Sequence, residues 1–403
     1  MAAKSSSSSP ADKVLSIDDL LTGILCRLPV RSLLCFKSVS KHWYFLITSP
    51  SFKLLRSRNP DPPSGLFVPI RTNKPYLEYE FVSFDIDNSV KSPFTTLNFD
   101  TNATRIDIEH SSNGLMLCSS HSSAINEVAR VVLPNHYYVY NPTINQFITL
   151  PRVENYNNLG RSGMSIAFDP SKSSDYKLIY VCGLGNVYLT GEGETNYQIE
   201  VLSSTTRTWK TACQFSFDSR IDLDFKRGVY WNNGVHWLQI GGYILHFNLD
   251  EEIIHKTQTP LKLLGLDADS NRIFESRDRL LLVELELVSL NSKFKIHELK
   301  RDYSEWSVKY LVDIEEVGGL FPEIMNPRLA TKFQFDIQSL VLGEKEGDCF
   351  LVLEIIGKAL RFNLVTKTFH KLHDFPASRV PKYYRLFTGM PYVFPFVVSL
   401  YSL

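Results

Sequence analysis

The sequence lacks the features by which a chain spans a membrane or binds polyanions in general. Lys plus Arg equals Asp plus Glu at 43 each, and a chain of zero net charge has no general affinity for polyanions. Residues 1–13 contain no apolar run, so we expect no signal peptide. The longest apolar run, residues 390–403, is short and interrupted by Pro391 and Pro395, so we expect no membrane span.

Cysteine is scarce, and its spacing excludes the common cysteine sites. The six cysteines include no CxxC pair and no zinc-like cluster with histidine. We therefore expect reduced, mostly buried thiols in a protein of the nucleus or cytoplasm, with no cofactor. No Ser/His/Asp, Cys/His or paired-carboxylate arrangement is distinguishable from chance, so no catalytic residue is predicted. Aromatic residues, 12% of the chain, are not interleaved with basic ones, so no nucleic-acid groove is predicted.

Two local patterns resemble ligand sites but are interpreted as ordinary structure. Gly183 and Gly185 begin like a dinucleotide-binding loop, but the third glycine and the following helix are missing, which favours a turn. His370 and His373 lie in a strand-like segment, where side chains three residues apart point to opposite faces. They therefore do not predict a metal site.

The first part of the chain is predicted to be a Ser-rich disordered tail, residues 1–12, followed by helices over residues 13–57. The first helix carries one apolar stripe, and Ser16 is expected to cap its N-terminus. We expect Pro29 to end it. A second short helix carries Leu33, Leu34 and Phe36. Ser40 is expected to cap a third, which carries Trp43, Tyr44 and Ile47 and stops near Pro50.

A proline-rich stretch, residues 58–65, is predicted to be a stiff linker and the boundary between two domains. The segment before it is basic: residues 13–57 contain seven Lys or Arg against two Asp. This local surplus favours an acidic partner for the helices.

After Gly65 the pattern changes to strand-like runs of period two separated by polar turns, without convincing helices. Residues 246–256 align without gaps on residues 361–371, and related units occur elsewhere. The repeated turn positions are Asn141, Ser203, Asn248, Lys300 and Asn363, at separations of 62, 45, 52 and 63 residues. Periods of roughly 40–50 residues are typical of propeller blades. We predict about six to seven blades; the alternative is a large β-sandwich.

Two Asn-Gly pairs and two tryptophans are interpreted within that repeat. Asn113 with Gly114 and Asn233 with Gly234 are predicted to form hairpin turns. Trp231 and Trp237 are predicted to lie in a blade core rather than at a ligand.

Residues 19–43 carry a family resemblance. They read DLLTGILCRLPVRSLLCFKSVSKHW and resemble the F-box of plant-type F-box proteins, DLLxxILxRLPVxSLLxFxxVSKxW. Residues 113–118, 168–178, 199–209 and 228–238 resemble, more loosely, the F-box-associated, kelch-like region of the same proteins. Ser16-Ile17 replaces the usual Leu-Pro, and Gly23 replaces a common acid at a cost of about 1 kcal/mol relative to Ala. Cys35 stands where a base is common.

The resemblance implies a fold and a partner. The fold is α+β with two domains: a small all-α F-box of about three short helices, residues 13–57, and an all-β propeller-like domain of six to seven blades, residues 66–403. The partner is the Skp-type adaptor of a cullin–RING ubiquitin ligase. The positions implied for adaptor binding are Leu20, Leu21, Ile24, Leu25, Leu28, Pro29, Val30, Leu33, Leu34, Lys37 and Trp43.

A physical argument supports a partner independently of the resemblance. About 45 residues cannot enclose so many large apolar side chains, so part of that surface must meet another body. That body is either an adaptor or the chain's own β-domain. Together with this argument, the resemblance implies a non-enzymatic substrate receptor of a ubiquitin ligase, whose propeller is expected to bind an unknown target protein. The alternatives are an F-box protein with a scaffold role outside ubiquitination and a β-propeller enzyme.

Overall fold

The computed structural model describes most of the chain from residue 17 onwards. The described residues are 17–71, 77–87, 90–94, 96–121, 134–153, 162–184, 194–218, 224–239, 242–261, 271–285, 292–321, 335–355, 357–375 and 392–403. Ser16 and residues 185–188, and therefore the expected cap and most of the glycine pattern, lie outside them. Among the described residues, no helix is both long enough and apolar enough to cross a bilayer. All six cysteines are free thiols.

Among the described residues, four α-helices precede the β-domain, where about three were expected. They are α1 (Asp18–Leu25), α2 (Val30–Phe36), α3 (Lys41–Thr48) and α4 (Pro50–Ser57). The predicted cap of α3 is confirmed, because the backbone N–H of Trp43 donates to the Ser40 hydroxyl at 3.2 Å. The third helix stops near Pro50, as expected, but a fourth helix that was not expected, α4, follows it directly. Ser49 caps α4 by accepting the N–H of Phe52 at 3.2 Å, and proline is tolerated at the first helical position.

The role expected of Pro29 is also corrected. Helix α1 ends at Leu25, four residues before the proline, and Pro29 is the extended N-cap residue of α2. Proline's fixed φ and missing N–H suit that position, since the N–H of a helix's first residues has no partner within the helix. Ile17 is the N-cap of α1 and makes no side-chain capping bond.

Within the described residues, the β-domain has twenty-three strands and one short α-helix, α5 (Val317–Leu320). The strands are β1 (Gly65–Arg71), β2 (Leu77–Ser83), β3 (Arg105–Ser112), β4 (Leu115–His121), β5 (His136–Asn141), β6 (Gln146–Thr149), β7 (Gly163–Phe168), β8 (Tyr176–Leu184), β9 (Glu194–Ser203), β10 (Trp209–Asp218), β11 (Val229–Trp231), β12 (Gly234–Gln239), β13 (Tyr243–Asn248), β14 (Ile253–Gln258), β15 (Arg272–Glu275), β16 (Leu280–Leu285), β17 (Lys293–Leu299), β18 (Trp306–Asp313), β19 (Phe335–Val341), β20 (Phe350–Ile355), β21 (Lys358–Asn363), β22 (Phe369–Asp374) and β23 (Phe394–Phe396).

The described strands form six sheets, which are the blades of a propeller. Five are four-stranded antiparallel meanders that follow chain order, β3–β6 through β19–β22. Their first strands lie beside one another in sequence, β3 with β7, β7 with β11, β11 with β15 and β15 with β19. The sixth sheet has the strand order β2-β1-β23, so it joins the first strands of the β-domain to its last described strand. Gly65 of β1 lies opposite Phe396 of β23. The propeller is confirmed, and the sandwich alternative is wrong.

The turn positions read from the sequence fall at one equivalent place in every meander. Asn141, Ser203, Asn248 and Asn363 are the last residues of the third strand of their blades, and Lys300 directly follows the third strand β17. The sixth blade has no such position because it is assembled from two distant segments. The repeat therefore shows five units in a ring of six blades.

The two faces of the propeller carry connections of different length. On one face, called here the turn face, the first and second strands and the third and fourth strands of each meander are joined by two to eight residues. The shortest connections, of two residues each, are Asn113 with Gly114 and Asn232 with Asn233, and the longest is residues 342–349. The connections between second and third strands, and between successive blades, leave from the opposite face.

The structure tests the predictions made for two tryptophans and two hairpin turns. Trp231 and Trp237 are buried, as predicted for a blade core. Asn113 and Gly114 both have positive φ and form the predicted two-residue turn between β3 and β4. The second turn was placed one residue too late: Trp231 pairs with Gly234, so the turn residues are Asn232 and Asn233, both at positive φ. Asparagine tolerates that conformation better than most residues.

Candidate functional site

Helix α1 presents two apolar faces instead of the single stripe expected from its sequence. Leu21 and Leu25 are 1% and 0% exposed, whereas Leu20 and Ile24 are 49% and 50% exposed. Both pairs have i, i+4 spacing, but one residue rotates a helix by about 100°, so the pairs point in different directions. The first pair packs inward, and the second is left open to solvent.

The other predicted site residues divide in the same way. Val30 and Leu33 are buried beside Leu21 and Leu25, in an apolar cluster that continues into the propeller at Phe67. Leu28, Leu34 and Trp43 are half-buried against this cluster, and Pro29 is exposed. The Trp43 ring packs edge-on against Phe36, with ring centroids 5.4 Å apart. Most of the motif therefore holds the helices together and positions the few residues that remain open.

Several open apolar residues were missing from the predicted set. Ile17, Val39, Tyr44 and Phe45 are all exposed, Phe45 at 68%. A periodicity signal was available for Ile17, which lies three residues before Leu20 on the same face of α1. A 3.1 Å contact between His42 and Asp18 joins α3 to the start of α1. We call Ile17, Leu20, Ile24, Tyr44 and Phe45 the open apolar set; concentrations of exposed apolar side chains of this kind mark interaction sites.

The helices also carry basic residues, Lys37 and Lys41 among them. Lys37, predicted to lie in the site, is half-buried. Burial lowers its pKa, and the nearby positive charge of Lys53 lowers it further. Lys41 is exposed. A negatively charged partner would reduce the repulsion between Lys37 and Lys53. It would also bind faster, because opposite charges raise the rate at which the partner meets the helices.

The inner side of the helices is attached to the propeller at its turn face. Lys53 Nζ donates to the Ser402 hydroxyl at 2.8 Å, and the Ser57 hydroxyl donates to the carbonyl of Pro170, between β7 and β8. The expected alternative, in which the helical surface meets the chain's own β-domain, therefore holds for the inner face only. The open apolar set is left for a different partner.

No catalytic arrangement emerges from the side chains that the structure brings together. Ser119 Oγ lies 3.2 Å from His121 Nε2, and Asp107 lies 3.5 Å from the same nitrogen. A nucleophilic triad needs the two ring nitrogens to serve different partners, and Ser119 is fully buried and donates instead to Glu109 at 2.6 Å. Within the described residues, no three His, Cys, Asp or Glu side chains are grouped as a metal site.

A helical unit with an open apolar face, joined to a six-bladed propeller, defines a binding protein built from two interaction modules. Comparison with known proteins gives the family. Residues 18–55 match the F-box domain, and residues 68–276 match the F-box associated beta propeller domain. The chain therefore belongs to the F-box proteins with an associated β-propeller, of the plant type.

Two relatives from Arabidopsis thaliana resemble the chain over most of their length. F-box protein At5g07610 is 33% identical over 390 residues, which are 92% of this chain and 88% of the relative. F-box protein At5g49610 is 27% identical over 334 residues, which are 76% of this chain and 81% of that relative. The first similarity covers 92% of the chain and therefore includes residues of both the helices and the propeller.

Proposed function

We propose that this chain is the substrate-recognition subunit of a Skp–cullin–F-box ubiquitin ligase. The F-box helices bind the Skp-type adaptor, and the propeller binds a target protein. The observation that carries the proposal is the open apolar set, with Leu20 and Ile24 half-exposed directly beside the buried Leu21 and Leu25. An apolar helix face laid into a hydrophobic groove is a common mode of recognition between proteins.

In this proposal the chain contributes proximity and no bond chemistry. Holding a target next to a ubiquitin-charged enzyme raises the effective concentration of its lysines, and the transfer is made by other subunits. The chain then needs no cofactor, and neither nucleic acid nor a membrane has a role. Its proposed location is the nucleus, the cytoplasm or both.

The attachment of the helices supports one placement of the target. The hydrogen bonds of Lys53 to Ser402 and of Ser57 to Pro170 both lie at the turn face. We therefore place the target on the opposite face of the propeller. Lys226, half-exposed beside Glu109 near the start of β11, is a described side chain on that face suited to such contacts.

Affinity purification from plant cells with the proteasome inhibited tests the proposal. The full chain is compared with Ile24→Asp and with Ile253→Asp, a matched control on the propeller that is equally exposed. We expect Ile24→Asp to lose the adaptor and the cullin together while it retains a target that accumulates under inhibition. The control should retain all three.

Two outcomes would contradict the proposal. If no adaptor co-purifies with the wild-type chain, the function proposed for the F-box helices is wrong. If it recovers the adaptor without cullin, and no co-purified protein accumulates under proteasome inhibition, the chain acts as a scaffold outside ubiquitination.

A further inference from the structure

A cavity lies at the junction between the helices and the propeller. Its volume is about 310 Å³, space for roughly ten water molecules. Its walls come from α4, from the proline-rich stretch, from the β7–β8 connection and from the C-terminal segment, residues 397–402. Small-molecule sites are typically cavities of this size between structural units, mostly apolar with a few placed polar groups.

The wall of the cavity has that composition. Val30, Leu54, Val398 and Leu400 supply apolar surface. The polar groups include the side chains of Ser57, Ser174 and Lys53. The interior therefore suits a molecule with an apolar body and a polar end.

The charges around the cavity do not balance. Arg56 and Asp61 both line it, but they are paired with each other, and the Asp61 carboxylate also accepts the backbone N–H of Val30 at 2.8 Å. Lys53 Nζ donates only to the neutral Ser402 hydroxyl, and within the described part of the chain it forms no ion pair. Within the described residues, one positive charge at the cavity is thus without a counter-ion.

The surroundings make that charge costly. Lys53 is half-buried, and burial lowers the pKa of its ammonium group. Lys37 adds a second positive charge nearby. Burial lowers the pKa of Lys37, and the positive charge of Lys53 lowers it further. A charge removed from water is stabilised by an opposite charge that makes hydrogen bonds to it.

We propose that the junction cavity binds a small organic anion, whose acid group pairs with Lys53 Nζ and whose apolar body fills the space between Leu54 and the C-terminal segment. The site is distinct from the open apolar set and from the opposite face of the propeller. A ligand there touches the helices and the propeller at once, so it also stabilises their junction.

Calorimetry on the purified full chain tests this with three probes of one shape: 2-naphthoate, 2-naphthyl phosphate and the neutral 2-naphthamide. We expect saturable 1:1 binding of at least one anion with a Kd below about 1 mM, and at least about tenfold weaker binding of the amide. The tighter anion identifies the acid group as carboxylate or phosphate.

Three variants locate the binding. Lys53→Met removes the charge, and Leu54→Trp fills the cavity from α4; each should weaken anion binding at least about tenfold. Leu55→Trp is the matched control, because Leu55 is as exposed as Leu54, at 39%, and does not line the cavity. It should bind like wild type.

Three outcomes would contradict the proposed anion site. Absence of saturable binding by both anions, equal binding of the amide, or wild-type affinity in both Lys53→Met and Leu54→Trp would each overturn the proposal. Circular dichroism of every variant confirms that a loss of binding does not reflect loss of the fold.

Discussion

The backbone N–H of Val30 donates a hydrogen bond of 2.8 Å to the carboxylate of Asp61, 31 residues further along the chain. The same carboxylate pairs with the guanidinium of Arg56, which is buried and also donates to the carbonyl of Leu28 at 3.1 Å. The proline-rich stretch is therefore bonded back onto the start of α2. The orientation of the helices depends on this bonded network as well as on the stiffness of proline.

Removing Asp61 should loosen that junction. Asp61→Ala leaves Arg56 buried without its partner and takes the capping acceptor from α2, so we expect the free energy of unfolding to fall by about 3 kcal/mol. Chemical denaturation measures the loss, and hydrogen exchange at the first amides of α2 should accelerate. Asp87→Ala, at an exposed carboxylate, should change neither; a similar loss in this control would contradict the assignment.

The two faces of α1 should respond oppositely to a charge. Leu25→Asp places a carboxylate in the apolar cluster and should cost more than about 3 kcal/mol of stability. Ile24→Asp, one residue away but half-exposed, should change stability by less than about 0.5 kcal/mol. Thermal unfolding of both variants decides this. Equal destabilisation would mean that α1 is rotated from the orientation described.

Two glycines should differ in their tolerance of alanine. Gly23 lies inside α1, and a Cβ there meets nothing within 4 Å, so Gly23→Ala should stabilise the helix by about 0.5–1 kcal/mol. At Gly163, where β7 begins, a Cβ would lie 2.2 Å from the backbone of Phe225. Gly163→Ala should therefore destabilise the protein in the same denaturation assay. A stabilising effect at Gly163 would contradict this close approach.

Three histidines stack across the third meander, β11–β14. His236, His246 and His255 are direct neighbours on β12, β13 and β14, and Tyr303 stacks on His246 with ring centroids 4.3 Å apart. Burial lowers the pKa of His246 from 6.5 to about 4, helped by the positive charge of His255. Burial and the charge of His246 lower that of His236 to about 3.

This stack predicts a loss of stability in mild acid. Between pH 6.5 and 4 the unfolded chain binds a proton at His246 that the folded chain does not, so stability falls as the pH falls. His246→Phe keeps the ring stack and removes the proton site. Its loss of stability between pH 7 and 4.5 should be smaller than that of wild type by about 2–3 kcal/mol, measured by denaturation at each pH. Parallel curves for the two proteins across this range would contradict the prediction.

Local patterns predicted the parts of the fold that depend on local chemistry. Ser40 caps α3 because a hydroxyl there reaches the N–H of Trp43. Asn141, Asn248 and Asn363 mark equivalent blade turns because the same tight connection recurs in each meander. Such features are encoded within a few residues and survive in any tertiary context.

Features that depend on contacts between distant residues were beyond the sequence. No periodicity links Asp61 to Val30, and none shows that β1 pairs with β23. The division of α1 into buried and open faces was also missed, since Leu20, Leu21, Ile24 and Leu25 are equally apolar and only the packing of the other helices separates them. Residue type thus identified apolar positions on the helices, whereas the exposure of each position follows from the packing.

The most direct test of the central claim is the affinity of the purified full chain for a purified Skp-type adaptor, measured by calorimetry. We expect tight binding that weakens by at least about a hundredfold when Leu20 and Ile24 are both changed to Asp. The Ile253→Asp variant should bind the adaptor with wild-type affinity. Failure of the wild-type chain to bind the adaptor, or wild-type affinity in the Leu20→Asp, Ile24→Asp double variant, would contradict it.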